Sequence, residues 1–321
     1  MPLPNCNPGV SICIPCYSDP VGLKKTVDSL FACRDMLKHG SFHLVVGLND
    51  CSFQKTDILS KEMLASRLRP KFYRTRRFLE YDESIKFLVS KVKTEFCIFI
   101  GCGELVLPSL FDALLEFPKM KVDFGVIPVC SPKARNSARA KFPKPCWERA
   151  IPGVFNKVLS GHVFRTSSLR FIQEPRPFCA MQWAHVEMAL TVQGNSSTIS
   201  MIYSMPEIIR IDNGEGWWTQ PDIYQQYITY CDLLVVYNHR FKKLKYVVDE
   251  LRKAYSIRLA LMILQARKNN LKEVPLFFSN WIKKNCRWVV WRFVLRIALM
   301  MPKAVASILM AMANWLLRKL N

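Results

Sequence analysis

Thr94-Glu-Phe-Cys-Ile-Phe-Ile-Gly-Cys-Gly-Glu-Leu-Val-Leu-Pro108 is the stretch whose reading decides the fold of this chain. Phe96 to Ile100 carries no polar residue and is too short for a free-standing helix, so it reads as a central strand covered on both faces, as in a parallel sheet. Gly101, Cys102 and Gly103 follow, small residues that let a ligand approach the backbone, and Glu104 is the acid beside them. In open α/β sheets ligands bind in the crevice outside the carboxyl ends of the strands, which makes this end the expected site. A tight strand-to-helix turn is the alternative reading of the same residues.

Working outward, Val10 to Pro15 reads as a first buried strand. Asp19-Pro20 then opens a helix, with Asp as N-cap, Pro at the first helical position, and Leu23, Val27, Leu30 and Phe31 as its apolar stripe. Cys16-Tyr17-Ser18 is the turn between them. Phe42 to Leu48 is a second strand ending at Asn49-Asp50-Cys51-Ser52, and Lys71 to Thr75 a third. Asp82 to Val92 is a helix with Ile85, Phe87, Leu88 and Val92 inward, and Val122 to Val129 is a fifth strand. Strands alternating with helices predict an α/β sheet of the doubly wound type.

Three of these strings together resemble a family. Val10-Ser-Ile-Cys-Ile-Pro-Cys-Tyr17 resembles the first motif of glycosyltransferase family 2, and Asn49-Asp50-Cys51-Ser52 resembles its Asp-Asp-Gly-Ser. Glu80-Tyr81-Asp82 through Glu104 is similar to the segment in which abequosyltransferase-like members, enzymes of bacterial surface-polysaccharide assembly, end in Gly-Ser-Asp-Asp before an apolar turn and Pro. The motifs recur in order over roughly the first 215 residues, which makes the set more specific than any one string.

The resemblance implies a GT-A-type, Rossmann-like fold with a mixed, mostly parallel sheet in residues 1–215. It also implies a nucleotide-sugar donor and inverting transfer in a single displacement. Pro15, Tyr17, Asp50 and Ser52 would frame the nucleotide, with Asp50 accepting from base or ribose; a turn or helix cap is the plainer role for Asp50. Asp82 would face the nucleotide or cap its own helix. Where the family holds Mg²⁺ or Mn²⁺ with paired acids, this chain has Gly103 and then Glu104, so Glu104 is the one matching metal ligand. The diphosphate charge would then fall to a sparsely held ion or to cations, either Arg210 or the basic segment 132–149. Gly103→Asp is expected to tighten metal dependence. The general base for the acceptor hydroxyl is expected on a helix containing His185 and Glu187, residues about 200° apart on the helical wheel, so that only one faces the cleft. A structural role remains open for either. Trp217 and Trp218 would stack on sugar or cover core.

Charge separates the rest of the chain from this domain. Lys and Arg number 46 against 25 Asp and Glu, for a net +21, and Arg240 to Asn321 holds 18 basic and 3 acidic residues, so +15 of the total lies there. Residues 216–321 read as a helical, basic region. Its longest uncharged run, Ala304 to Leu317, is 14 residues, short of the ~20 that span a bilayer. The region is expected to lie on an anionic membrane surface, with Trp281, Trp288, Trp291 and Trp315 at headgroup level; a helical core or dimer interface is the plainer alternative. Its apolar bulk argues against a nucleic-acid partner. The 12 cysteines are scattered singly and read as reduced, and Cys13-x-x-Cys16 lacks a second pair or His cluster to complete a zinc site. No basic, apolar leader opens the sequence, so the expected location is cytoplasmic, peripheral on the inner face of the cell membrane. The resemblance implies a glycosyltransferase, and a polyprenyl-diphosphate-linked glycan as acceptor would explain the basic, apolar tail. A degenerate GT-A binding or scaffolding protein is the competing class, kept open by Gly103.

Overall fold

The apolar run around Phe96 is strand β4 (Thr94–Phe99) in the computed structural model of the chain. Phe96 to Ile100 are all buried, as expected of a strand covered on both faces. The structure describes residues 7–33, 35, 42–49, 70–120, 122–127, 129–130, 159–172, 184–195, 201–202, 208–209, 260, 263–264, 268 and 289–320. The chain divides into two compact units, Met1–Gly216 and Trp217–Asn321.

In the first unit, β1 (Asn7–Tyr17), β2 (Phe42–Asn49) and β3 (Lys71–Arg74) pair in parallel, and β4 joins the other side of β1, also in parallel. The order of the seven-stranded sheet is β3-β2-β1-β4-β8-β6-β9, where β6 is Phe124–Val126, β8 is His162–Arg165 and β9 is Met201–Ile202. Strand order reverses between β1 and β4, so the carboxyl ends of these two strands flank the topological switch point. The sheet is mixed, because β8 runs antiparallel to both β4 and β6.

Helix α1 (Pro20–Ala32) follows the expected chemistry: the Asp19 carboxylate accepts the Gly22 amide at 2.8 Å, and Leu23, Val27 and Leu30 are buried, with Phe31 half-buried beside them. Helix α2 (Tyr81–Lys91) buries Ile85 and Leu88, whereas Phe87 is only half-buried and Val92 lies beyond the last turn in extended backbone. A helix not foreseen from the sequence, α3 (Ser109–Glu116), buries Leu110, Phe111, Ala113 and Leu114. Its Phe111 ring meets Phe42 edge-on with centroids 5.2 Å apart.

The expected strand Val122 to Val129 is two strands in different sheets. β6 stays in the main sheet, while β7 (Val129–Cys130) joins a three-stranded sheet ordered β5-β10-β7, with β5 Leu105–Val106 and β10 Ile208–Ile209. The two halves have different partners: β6 lies between β8 and β9, whereas β7 pairs with β10. The Ile127 amide still donates to the Gly161 carbonyl at 2.7 Å, in the register of the β6–β8 ladder, and the Gly161 amide donates to the Phe99 carbonyl at 2.9 Å.

The second unit contains α5 (Val289–Met300) and α6 (Lys303–Leu320). Leu295, Ala298 and Ala306 are buried, while Ile297, Met300, Ile308 and Met312 are exposed. Among the described residues no helix is long and apolar enough to cross a membrane.

Candidate functional site

At the switch point the ends of β1 and β4 are laced to the start of α1. The Gly103 amide donates to the Thr26 hydroxyl at 2.9 Å and approaches the Gly22 carbonyl at 3.1 Å. Thr26 is fully buried and its hydroxyl also reaches the Gly101 carbonyl at 3.4 Å. This Thr was invisible as a site residue in the sequence, since it reads only as a buried position on a helix.

Glu104 does not project from this turn as a free acid. It is buried, and its Oε2 accepts the Gly101 amide at 2.8 Å, an amide that the Ser160 hydroxyl also accepts at 2.8 Å. Among the described residues no group of three His, Cys, Asp or Glu stands close enough to hold a metal ion. Mg²⁺ usually keeps several waters and is held by one or two carboxylates plus substrate phosphates, so Glu104 would hold such an ion only together with a donor diphosphate.

Gly103 has a conformational reason to be glycine. Its φ is +90°, and an added Cβ would meet nothing nearer than Gly22 Cα at 3.8 Å. Space is open, but the backbone conformation disfavours every other residue. Beside the tighter metal dependence expected of it, Gly103→Asp should lose about 1 to 2 kcal/mol of stability through backbone strain. Denaturant unfolding with and without Mn²⁺ and a nucleoside diphosphate checks both; a midpoint that metal does not raise would remove the ligand role.

Tyr17 and Asp82 come together with Glu104 around Tyr81. The Tyr17 and Tyr81 rings are stacked, 6.5 Å between centroids and 15° between planes. Burial pushes the Tyr81 phenol well above its ordinary range, and the neighbouring charges of Asp82, Tyr17 and Glu104 add to the rise. Burial likewise raises Tyr17 to about 12, with the Ser84 and Asn49 side chains at its hydroxyl acting the other way. Both phenols therefore stay protonated donors at neutral pH. Pro15 is buried in β1, in register with Gly47. Asn49 is a missed member of this region: its side chain accepts the Leu79 amide at 2.8 Å and donates to the Leu79 carbonyl at 2.6 Å, tying the segment before α2 to the end of β2.

Asp82 is not the N-cap of its own helix, a place taken by Glu80. Its buried Oδ1 accepts the Ala184 amide at 2.9 Å. Ala184 begins α4 (Ala184–Asn195), the helix carrying His185 and Glu187. Asp82 therefore satisfies one of the open amides of a helix 102 residues further on, and its negative charge suits that helix end. Both candidate bases are buried, as is every residue of α4 from Ala184 to Gln193. His185 is 3% exposed and Glu187 5%. The His185 ring meets His162 edge-on at 5.4 Å. His162 is buried in β8, its Nδ1 lies 2.9 Å from the Leu159 carbonyl, and desolvation lowers its pKa to about 4, against the opposing pull of the Leu159 and Ser160 backbone.

Asp50, Ser52, Arg210, the basic segment 132–149, Trp217 and Trp218 lie outside the described residues. Of the candidate residues, the structure brings Tyr17, Asp82 and Glu104 around one tyrosine and joins them, through Asp82, to the helix of His185 and Glu187.

No sequence-family model and no curated protein matches the chain. Solved structures do. S. aureus TarS 1-349 in complex with UDP-GlcNAc aligns with a TM-score of 0.59 at 14% identity, over 91% of this chain and 89% of that one. A second structure of S. aureus TarS 1-349 gives 0.58 at 14% identity, over 91% and 88%. A third, in complex with UDP, gives 0.58 at 13% identity, over 91% and 90%. At this identity the likeness establishes the fold alone: α/β, with a mixed, mostly parallel sheet, as in TarS.

Proposed function

We propose that the chain is an inverting glycosyltransferase that moves a sugar from a nucleotide-sugar donor to a lipid-linked glycan. The observation that carries this reading is the cluster of Tyr17, Tyr81, Asp82 and Glu104 at the β1/β4 switch point, in a fold whose solved relative binds UDP-GlcNAc. The stacked tyrosines supply protonated hydroxyls and ring faces for a base or ribose, with Asp50 and Ser52 completing the frame from the end of β2. The acceptor hydroxyl attacks the anomeric carbon as its proton passes to His185 or Glu187, and the bond to the diphosphate breaks on the opposite side. Arg210 and the cations of 132–149 take the charge of the leaving diphosphate. Glu104 shapes the turn beneath it.

The kinship to family 2, and to its abequosyltransferase-like members, belongs to the same proposal, as does a polyprenyl-diphosphate-linked acceptor. Residues 216–321 would hold the enzyme on an anionic membrane face, with the exposed Ile297, Met300, Ile308 and Met312 entering the interface beside Arg296. One observation favours a second reading, a binding protein without catalysis: the acid at the metal position is drawn into its own turn.

A thermal-shift series with UDP, GDP, dTDP and CDP, followed by detection of nucleoside diphosphate release from the matching sugar donors, tests both readings. One nucleotide at a hundredfold over its Kd should stabilise the protein by about 3 kcal/mol. Asp50→Ala should weaken that binding by about 1 to 3 kcal/mol. Binding without release in the presence of lipid-linked acceptors would favour the second reading, and no binding by any nucleotide would sink both.

A further inference from the structure

The topology sets two cysteines side by side that the sequence keeps 86 residues apart. Cys16, fully buried, lies next to the last residue of β1; Cys102, partly exposed, lies in the turn between β4 and β5. Their sulfurs are 3.7 Å apart, and both thiols reach the Asp19 carbonyl, Cys16 at 3.5 Å and Cys102 at 3.4 Å. The Cys-x-x-Cys spacing in the sequence suggests Cys13 as the partner of Cys16. Strand alternation sends these two to opposite faces of the sheet, where Cys13 has Cys97 as a neighbour whose charge reinforces the burial that raises its pKa.

We propose that Cys16 and Cys102 form an oxidisable dithiol, a redox modification site at the mouth of the sheet that a low-molecular-weight disulfide converts to an internal disulfide. Cys102, the accessible sulfur, attacks one sulfur of oxidised glutathione as its thiolate and expels one glutathione thiolate. Cys16 then attacks the Cys102 sulfur of this mixed disulfide and expels the protein's second glutathione. The protein gives up two electrons and two protons, and two molecules of reduced glutathione carry them away. The sulfurs must close by about 1.7 Å to reach the ~2.0 Å of a disulfide, and the turn that carries Cys102 has Gly101 and Gly103 on either side. The bond would fasten that turn to β1 one residue before Tyr17, and would take both thiol donors from the Asp19 carbonyl. Its effect on a donor nucleotide rests on the function proposed above; formation of the bond does not.

The test is to incubate the full chain with oxidised glutathione, alkylate the remaining thiols, and map the product by mass spectrometry. The expected species is about 2 Da lighter before alkylation, the two hydrogens lost as the bond forms. A peptide containing Cys16 should be linked to one containing Cys102, in the unmodified sequence and in Cys13→Ser alike. The link should vanish in Cys16→Ser and in Cys102→Ser, and dithiothreitol should reverse it. A link that survives Cys102→Ser, or a glutathione adduct that stays on Cys102 without passing to Cys16, overturns the proposal. A second arm measures UDP and GDP binding before and after oxidation, with roughly tenfold weaker binding expected in the disulfide form. Equal affinity in both forms overturns the link to the donor site. A reduced protein that binds neither nucleotide counts against the proposed function and leaves the mass result standing.

Discussion

Gly161→Ala should lower the stability of the first unit by more than about 3 kcal/mol, enough to consume much of the 5 to 15 kcal/mol that holds a typical domain together. Two effects combine at this residue. Its φ is +82°, which costs an alanine about 1 to 2 kcal/mol. The second effect is larger: a Cβ here would stand 2.0 Å from the Ile127 carbonyl oxygen and 3.1 Å from its carbon. That obstacle is backbone, and it cannot step aside, because the Ile127 amide is bonded to the Gly161 carbonyl while the Gly161 amide is bonded to Phe99. Relief would require breaking the junction of β4, β6 and β8. Gly103→Ala is the internal control, since its φ is +90° but its surroundings are open. Denaturant unfolding of the two variants should therefore differ by about 2 kcal/mol or more, and equal losses would show that the clash relaxes without damage.

The contrast between these glycines also shows what was legible in the sequence. The strands β1, β2 and β4 could be read because each is a short apolar run with no helical alternative of sufficient length. The Asp19-Pro20 start of α1 could be read because an N-cap acts within three residues. The split of Val122 to Val129 could not, because it depends on which strands each half pairs with, β8 and β9 for one and β10 for the other, all from distant parts of the chain. The same limit applies at the site. Motif order pointed to Tyr17, Asp82 and Glu104, and they converge, but their working partners are long-range: Tyr81 against Tyr17, Thr26 beneath Gly103, Ser160 beside Glu104, and Ala184 on Asp82. Asp82 has the local signature of a helix cap and does cap a helix, only not its own. The pairing of Cys16 with Cys102 was hidden for the same reason, behind a Cys-x-x-Cys spacing whose members point to opposite faces.

Acid should destabilise the protein steeply through one buried imidazole. His162 has its pKa lowered from 6.5 to about 4, chiefly by desolvation, and its Nε2 has no hydrogen-bond partner among the described residues. Its folded pKa lies below its unfolded one, so between these values the unfolded chain binds a proton that the folded chain refuses. Stability is then complete above pH 6.5, falls as the pH drops towards 4, and loses nothing further from this group below that. A shift of this size corresponds to about 3 kcal/mol. His43 acts in the same direction, its pKa lowered by partial burial and then by Lys71, but it is half-exposed and contributes less. Unfolding free energies measured from pH 7 to 4 should show a slope close to one proton per molecule from His162, and His162→Gln should remove it while leaving the smaller contributions in place. An unchanged slope in a folded His162→Gln would show that the imidazole is charged or solvated in the native state. Because the His162 ring stands 5.4 Å from His185, its protonation would also place a positive charge beside a proposed base. Any glycosyl transfer that uses His185 should therefore fail in the same pH window in which the fold begins to give way.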